Sequence, residues 1–272
     1  MKFKRTMFLS LIAACCYGNS FAAKTDTVST YSHAMQKTIP AIVLTPDNYS
    51  LNRKYPVVYL LHGYSGDYTG WMNISGDYIR KIVDAENIII VLPDGGYSSW
   101  YYDHPTDKEW QYETYIAAEL IRWIDQRYAT IQSPKGRGIT GLSMGGHGAL
   151  FLAFKHPDVF GIAGSMSGGV DIRPFPFNWD LPKRLGSYAK NPENWEKNTV
   201  INLTDLLAPD TLKIIIDCGT EDFFYAVNEN LHQKLLKNNI PHEFISRPGK
   251  HDSAYWSNAL KYQLLFIIEN FM

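Results

Sequence analysis

The sequence predicts an α/β fold, with a mostly parallel central sheet and helices on both of its faces. Three runs of strand length, at 57–61, 88–92 and 212–216, are aliphatic with little polar alternation. This pattern is typical of strands that helices cover on both faces. Longer segments of helical periodicity separate them, as crossover helices between parallel strands would. The 272 residues can form one sizeable core, and we expect a single domain over residues 23–272.

The same periodicities predict the remaining elements. Short strands are expected at 139–140 and 161–165, and a last strand begins near His242. Four helices are expected, over 115–128, 146–155, 225–238 and 255–271. Residues 171–209 interrupt the alternation with prolines and scattered aromatic residues. They are interpreted as a small insertion over the carboxyl edge of the sheet, or equally as a long surface excursion.

The first 22 residues have the pattern of a secretory signal peptide. Residues 1–5 are basic, residues 7–16 are apolar, and Ser20 and Ala22 are small residues at the positions that a signal peptidase reads. We therefore expect cleavage near Ala22 and a secreted or periplasmic protein. The alternative is a lipid-anchored protein, because the segment that ends at Cys15 (IAAC) resembles a bacterial lipobox.

Charge and composition exclude several partners and cofactors. The 26 basic and 27 acidic residues give a formal net charge of -1, which provides no basic face for nucleic acid. The histidines are scattered without the spacing of a metal site, and no glycine-rich loop follows a strand as a dinucleotide site requires. We expect no metal and no cofactor, and contact with a membrane only if Cys15 is lipidated.

A nucleophile motif stands between a predicted strand and a predicted helix. Residues 141–145 (GLSMG) match G-x-S-x-G, and in this context a sharp turn presents the serine at the carboxyl edge of the sheet. The glycines two residues before and after Ser143 remove Cβ atoms that would clash where strand and helix approach. The N–H groups at the start of the helix lie near any developing oxyanion. Ser143 is the predicted nucleophile.

A serine nucleophile needs a histidine to accept its proton and a carboxylate to orient that histidine. In a fold with this motif the chain order is serine, acid, histidine. Of the histidines after the serine, His251 lies in a loop between the last predicted strand and the last helix, and it is the predicted base. Asp222, after the strand at 212–216, is the predicted acid. Glu221 is the neighbouring alternative and Asp217 a weaker one.

Three segments together resemble the esterase D group of α/β-hydrolases: residues 61–64 (LHGY), 141–146 (GLSMGG) and 218–224 (CGTEDFF). This group contains tributyrin esterases, S-formylglutathione hydrolases, feruloyl and acetyl-xylan esterases, and mycolyltransferases. The chain is most similar to the tributyrin esterases, from about residue 39 onward. The resemblance implies the α/β-hydrolase fold, and its glycine-x-histidine loop and acid motif match His251 and Asp222.

Acyl transfer also requires hydrogen-bond donors for the oxyanion. The backbone N–H of Met144, after the nucleophile, is the first candidate, and the resemblance implies that of Tyr64 as the second. Trp71, Trp100 and Tyr101 follow predicted strands, so we expect them at the same edge of the sheet as walls of a substrate pocket. Core packing is the alternative for some of them.

These residues predict a serine carboxylesterase that forms an acyl-enzyme on Ser143. The resemblance implies short acyl groups of acetyl, butyryl or feruloyl type, carried on a small molecule or a polysaccharide. An acyltransferase that uses the same acyl-enzyme is the alternative enzyme. A binding protein that kept the fold without the chemistry is a further alternative, and the intact serine, acid and histidine argue against it.

Overall fold

The computed structural model describes residues 23–271, so the predicted signal peptide at 1–22, with Cys15, lies outside the described residues. The eight strands are β1 (Lys24–Ser32), β2 (Lys37–Thr45), β3 (Val57–Leu61), β4 (Ile89–Pro93), β5 (Arg137–Gly141), β6 (Ile162–Met166), β7 (Lys213–Gly219) and β8 (Glu243–Arg247). They form one sheet in the order β1-β2-β4-β3-β5-β6-β7-β8. The β1–β2 and β2–β4 pairs are antiparallel, and the other five are parallel.

Helices connect most of the parallel strands. They are α1 (Gly70–Glu86), α2 (Tyr112–Thr114), α3 (Ile121–Arg127), α4 (Met144–Lys155), α5 (Leu181–Leu185), α6 (Pro192–Asn198), α7 (Tyr225–Lys237) and α8 (Ser253–Glu269). A π-helical segment, Tyr115–Leu120, joins α2 to α3, and 3-10 turns occupy Pro134–Gly136 and Val200–Leu206. Within residues 23–271 no helix is both long enough and apolar enough to cross a membrane.

The helices cover both faces of the sheet. Tyr59 of β3 packs in the same cluster as α4 and α7, whereas Val58 and Leu60 pack with α1 and α8. Successive strand residues point to opposite faces, so a strand covered on both sides is apolar at every position. This explains the continuous aliphatic runs in the sequence and confirms the predicted α/β architecture, with a mostly parallel sheet and helices on both faces.

Most predicted elements lie within three residues of their observed bounds, but the β1–β2 hairpin and α1 were not predicted. β1 is largely exposed and polar, and β2 contains Pro40, a residue that weakens a strand pattern. The helix α1 contains Gly70 and Gly76, and its backbone is non-helical at Ser75 (φ -147°, ψ 26°). These residues interrupt the helical periodicity of the sequence, so the pattern did not indicate α1.

The insertion at 171–209 contains α5, α6 and the 3-10 turn Val200–Leu206. It is packed onto the rest of the molecule, because Leu181, Leu185 and Trp195 are buried in the main core. Trp179 lies in the same cleft as Ser143. The insertion therefore reaches the carboxyl edge of the sheet, as the first interpretation of its sequence expects.

Candidate active site

Ser143 occupies the turn between β5 and α4. Its backbone has φ 55° and ψ -116°, a conformation that costs energy in any residue with a side chain and is found at functional sites. The turn is held on both sides: the N–H of Ser143 donates to the Met166 carbonyl at 2.9 Å, and that of Gly145 donates to the Leu142 carbonyl at 2.7 Å. The serine is thereby presented at the carboxyl edge of the sheet.

The glycines of the motif allow β3, β5 and α4 to approach closely. A Cβ on Gly141 would lie 2.6 Å from the Gly145 carbonyl carbon and 2.7 Å from the Leu61 oxygen. A Cβ on Gly145 would overlap the Leu61 carbonyl and lie 2.6 Å from the His62 oxygen. These neighbours are backbone atoms that cannot rotate away, so both positions require glycine.

Three side chains from different loops form one hydrogen-bonded chain. His251 Nε2 lies 2.9 Å from Ser143 Oγ, and His251 Nδ1 lies 2.8 Å from Asp222 Oδ2. The other carboxylate oxygen of Asp222 accepts the Phe224 N–H at 2.8 Å, and its side chain is fully buried. A carboxylate at Nδ1 keeps the proton on that nitrogen and leaves Nε2 free to accept the serine proton.

Glu221 and Asp217, the alternative catalytic acids, interact with residues other than His251. Glu221 is exposed, and its carboxylate lies 3.7 Å from Lys250 Nζ. Asp217 is buried, forms an ion pair with Arg247 and accepts a hydrogen bond from the Tyr255 hydroxyl. Burial raises the pKa of Asp217, against the hydrogen bond from Tyr255 and the charge of Arg247. In the described structure neither carboxylate bonds to the histidine.

The loops that carry the acid and the base are bonded to each other. The N–H of Thr220 donates to the Arg247 carbonyl, and that of Glu221 donates to the Gly249 carbonyl, both at 2.9 Å. The Asp217–Arg247 ion pair joins the strands immediately before these loops. The distance between Asp222 and His251 is therefore set by a rigid frame of backbone bonds.

The two predicted oxyanion donors flank Ser143. Tyr64 lines the cleft next to the serine, and Met144 begins α4 directly after it. Among residues 23–271, neither backbone N–H makes a hydrogen bond. Both N–H groups are thus available to a bound ligand.

A cleft of about 460 Å³ opens above Ser143. One side follows β3 and includes Tyr64 and Trp71. The other side comes from the segments that follow β6, β7 and β8, including the first turn of α8. The cleft also contains residues to which the sequence analysis assigned no place in the site, Ile74, Leu142, Trp179, Phe223 and Trp256. Phe223 and Trp256 adjoin the acid and base motifs, so proximity in sequence could have indicated them, whereas Trp179 has no such signal.

Trp71 lies in the cleft, but it belongs to α1 and not to a loop. Its ring nitrogen donates to the Leu61 carbonyl at 2.9 Å. This bond fixes the indole at the end of β3, beside the position of Tyr64.

Trp100 and Tyr101 do not line the cleft, which corrects the prediction that they form its walls. Both are buried, because the loop after β4 turns inward at these two consecutive left-handed residues (φ 52° and 61°). The Trp100 ring packs against His147 at 5.3 Å, and the Tyr101 ring fills the space beside Gly148. They pack behind the site.

Two buried histidines, His62 and His147, pack behind the catalytic side chains, and His62 also borders the cleft. His62 Nε2 accepts the Gly95 N–H, and its Nδ1 donates to the Gly63 carbonyl, both at 2.8 Å. Burial lowers the pKa of His62 and lowers that of His147 to about 3, which favours the neutral form of both rings. In the part of the chain that the structure describes, no group of three or more His, Cys, Asp or Glu side chains could hold a metal ion.

Comparison with known proteins assigns the family. Residues 32–267 match the family model described as "Putative esterase". The chain belongs to this esterase family. The matched segment contains Ser143, Asp222 and His251, and it confirms the family that the three sequence motifs indicate.

Curated relatives within the esterase family differ in name and length. An esterase of Mycobacterium tuberculosis is 31% identical over 237 residues, which cover 77% of this chain and 51% of the relative. This chain thus spans about half the length of that protein. An acetyl esterase of Caldicellulosiruptor saccharolyticus is 27% identical, and the match covers 75% of this chain and 79% of that protein. The diacylglycerol acyltransferase/mycolyltransferase Ag85B of Mycolicibacterium smegmatis is 28% identical, and the match covers 75% of this chain and 74% of that protein.

Solved structures of similar proteins share the fold. A ferulic acid esterase superposes with a TM-score of 0.79 at 27% identity, over 93% of this chain and all of the other. An S-formylglutathione hydrolase of Staphylococcus aureus superposes with a TM-score of 0.79 at 22% identity, over 90% and 99% of the two chains. The second comparison bears on the fold alone.

Proposed function

We propose that this chain is a serine carboxylesterase that forms an acyl-enzyme on Ser143. The observation that carries the proposal is the hydrogen-bonded chain from Ser143 through His251 to Asp222, at the floor of an open cleft. His251 Nε2 accepts the hydroxyl proton while Ser143 Oγ attacks the ester carbonyl carbon. Asp222 holds the ring in position and stabilises the imidazolium that forms.

The attack turns the carbonyl oxygen into an oxyanion. The N–H groups of Met144 and Tyr64 stabilise that charge, and loss of one such donor typically costs about 2.7–4 kcal/mol of transition-state stabilisation. His251 then donates its proton to the leaving alcohol oxygen as the carbon–oxygen bond breaks. Water then attacks the acyl-enzyme while His251 accepts its proton, and His251 returns that proton to Ser143 Oγ as the acyl–oxygen bond breaks and the acid leaves.

Short acyl esters are the proposed substrates, of acetyl, butyryl or feruloyl type on a small molecule or a polysaccharide. The cleft volume of about 460 Å³ is within the usual size of small-molecule sites. The named activities of two relatives, an acetyl esterase and a ferulic acid esterase, support this range.

We also propose that residues 23–272 form one exported domain and that residues 1–22 are removed as a signal peptide. The basic start, the apolar stretch and the small residues before Ala23 support export. Mass spectrometry of the protein from a native host would give the mature N-terminus. A first residue of Cys15 carrying a lipid would contradict the proposed cleavage.

Acyl transfer is the second candidate function, because Ag85B, a named acyltransferase, is among the relatives. An alcohol in place of water would then attack the acyl-enzyme and form a new ester. Product ratios measured with and without an added sugar acceptor separate the two functions. Hydrolysis alone at high acceptor concentration would exclude transfer to that acceptor.

A panel of p-nitrophenyl esters of rising acyl length, with methyl ferulate and acetylated xylan, tests the proposed function. We expect hydrolysis by the wild type and a loss of about 10³-fold or more in Ser143→Ala. A fluorophosphonate probe should label the wild type and not the variant. Hydrolysis that survives in a folded Ser143→Ala protein would remove the serine from the mechanism.

A further inference from the structure

The cleft has two chemically different sides. Ser143 follows β5, the oxyanion candidate Tyr64 follows β3, and His251 follows β8 on the opposite side in the strand order. If the proposed function holds, the leaving alcohol oxygen must take its proton from His251 Nε2. The alcohol part of the ester therefore lies on the β7–β8 side of the serine.

Aromatic rings surround the histidine on that side. The Phe223 ring centroid lies 4.3 Å from that of His251, and the Trp256 centroid lies 4.9 Å from it. The indole of Trp179 stacks on Phe223 at 5.6 Å, with 20° between the planes. All three rings line the cleft, and we call them the alcohol-side wall.

Trp179 reaches this wall from the insertion in a strained conformation. Trp179 and Asp180 are consecutive residues with positive φ, 48° and 58°. Such residues persist where surrounding contacts hold them, and they cluster at functional sites. Here the contact is a hydrogen bond from the Trp100 ring nitrogen to the Trp179 carbonyl at 3.1 Å. Trp100 itself has φ 52°, so the bond joins two strained segments.

The surrounding insertion is anchored firmly enough to hold Trp179 in place. The Arg184 guanidinium lies over the Trp110 ring at 3.4 Å and donates to the Ser98 hydroxyl and carbonyl. Leu181, two residues after Trp179, is fully buried. The wall is thus a preformed surface.

We propose that Trp179 is a specificity-determining residue for the alcohol part of the ester, and that Trp100 is its positioning residue. A planar ring in the leaving alcohol stacks against the Trp179–Phe223 pair, whereas a small alkyl alcohol has little surface to offer it. The enzyme therefore prefers esters of aryl-methyl alcohols to those of ethanol. The acyl group is not part of this contact.

Benzyl acetate and ethyl acetate test the proposal, because they share one acyl group and differ in the alcohol. The measured quantity is the ratio of their kcat/KM values. We expect Trp179→Ala to lower this ratio about tenfold. Trp179→Leu, which keeps an apolar side chain, should lower it in the same direction and serves where the alanine variant folds poorly. Phe177→Ala is the matched control from the same loop, since Phe177 is 89% exposed, and it should leave the ratio unchanged.

The positioning role of Trp100 is tested by the same ratio of kcat/KM values for benzyl acetate and ethyl acetate. Trp100→Phe, which removes the ring nitrogen, should lower the ratio by less than Trp179→Ala, and the double variant should match Trp179→Ala alone. The ratio for ethyl butyrate against ethyl acetate should not change in any of them.

Different results would contradict the role of Trp179, the role of Trp100 and the proposed esterase function. Equal losses on both acetates in Trp179→Ala and Trp179→Leu, with the benzyl-to-ethyl ratio unchanged, would overturn the role of Trp179. An unchanged ratio in Trp100→Phe would overturn the role of Trp100. A folded wild type that hydrolyses neither acetate would instead contradict the proposed esterase function.

Discussion

Asp222 and Glu221 are adjacent carboxylates in the same loop, yet their environments differ completely. Asp222 is buried and lies 2.8 Å from His251 Nδ1, where it also accepts a backbone N–H. Glu221 is 56% exposed and its nearest cation is a lysine at 3.7 Å. An exposed ion pair of this kind contributes little. Chain order restricted the catalytic acid to a few residues. The course of the backbone after β7 then directs the Asp222 side chain towards His251 and the Glu221 side chain towards solvent.

Asp222→Asn is expected to lower kcat by about 10⁴-fold, because an amide can favour the wrong tautomer of His251. Glu221→Gln is the matched control, and we expect its kcat within about twofold of the wild type. Both variants should be assayed on p-nitrophenyl acetate after their folding has been checked by circular dichroism. A large loss in Glu221→Gln with little loss in Asp222→Asn would exchange the roles of the two residues.

At the scale of elements, the site depends on how closely β3, β5 and α4 pack. The motif glycines could be recognised in the sequence because their spacing around the serine is characteristic. The loop after β4 could not be interpreted in this way. Two consecutive left-handed residues, Trp100 and Tyr101, turn it into the core, and no local pattern indicates that direction.

Two glycine substitutions test this packing. Gly145→Ala places a Cβ against the Leu61 and His62 carbonyls, and we expect it to lower the free energy of unfolding by about 1–3 kcal/mol or more. Gly70→Ala is the control, because nothing lies within 4 Å of its added Cβ, and it should change stability by no more than about 0.5 kcal/mol. Urea unfolding measures both. Equal stability of the two variants would show that the elbow tolerates a side chain.

At the scale of the whole molecule, buried neutral histidines link folding to pH. His147 is fully buried, and burial lowers its pKa to about 3, against about 6.5 in the unfolded chain. Below about pH 6.5 the unfolded chain therefore binds a proton that the folded protein does not. Stability must fall as the pH decreases from about 6.5 towards 3. His62, whose pKa burial also lowers, acts in the same direction.

We expect the free energy of unfolding to decrease by about 1.6 kcal/mol for His147 alone between about pH 6.5 and pH 5, given its folded pKa of about 3. His147→Asn keeps a donor near the Gly169 carbonyl, which accepts from His147 Nδ1, but cannot titrate. The free energy of unfolding of this variant should therefore depend less steeply on pH, by an amount that approaches about 1.4 kcal/mol per pH unit near pH 5. Urea unfolding at several pH values gives the slopes. Identical slopes for the variant and the wild type would contradict the linkage.

The sequence by itself determined the α/β class, the position of Ser143 and the order of its partners. It could do so because burial on both faces makes strands aliphatic, and a sharp strand-to-helix turn needs glycines at set positions. It could not determine which side chains line the cleft. Trp179 lies more than thirty residues from Ser143 in the chain, and a hydrogen bond from Trp100 and a stack on Phe223 hold it in the cleft. Contacts of this kind exist only after packing, so the tertiary structure alone decided the shape of the site.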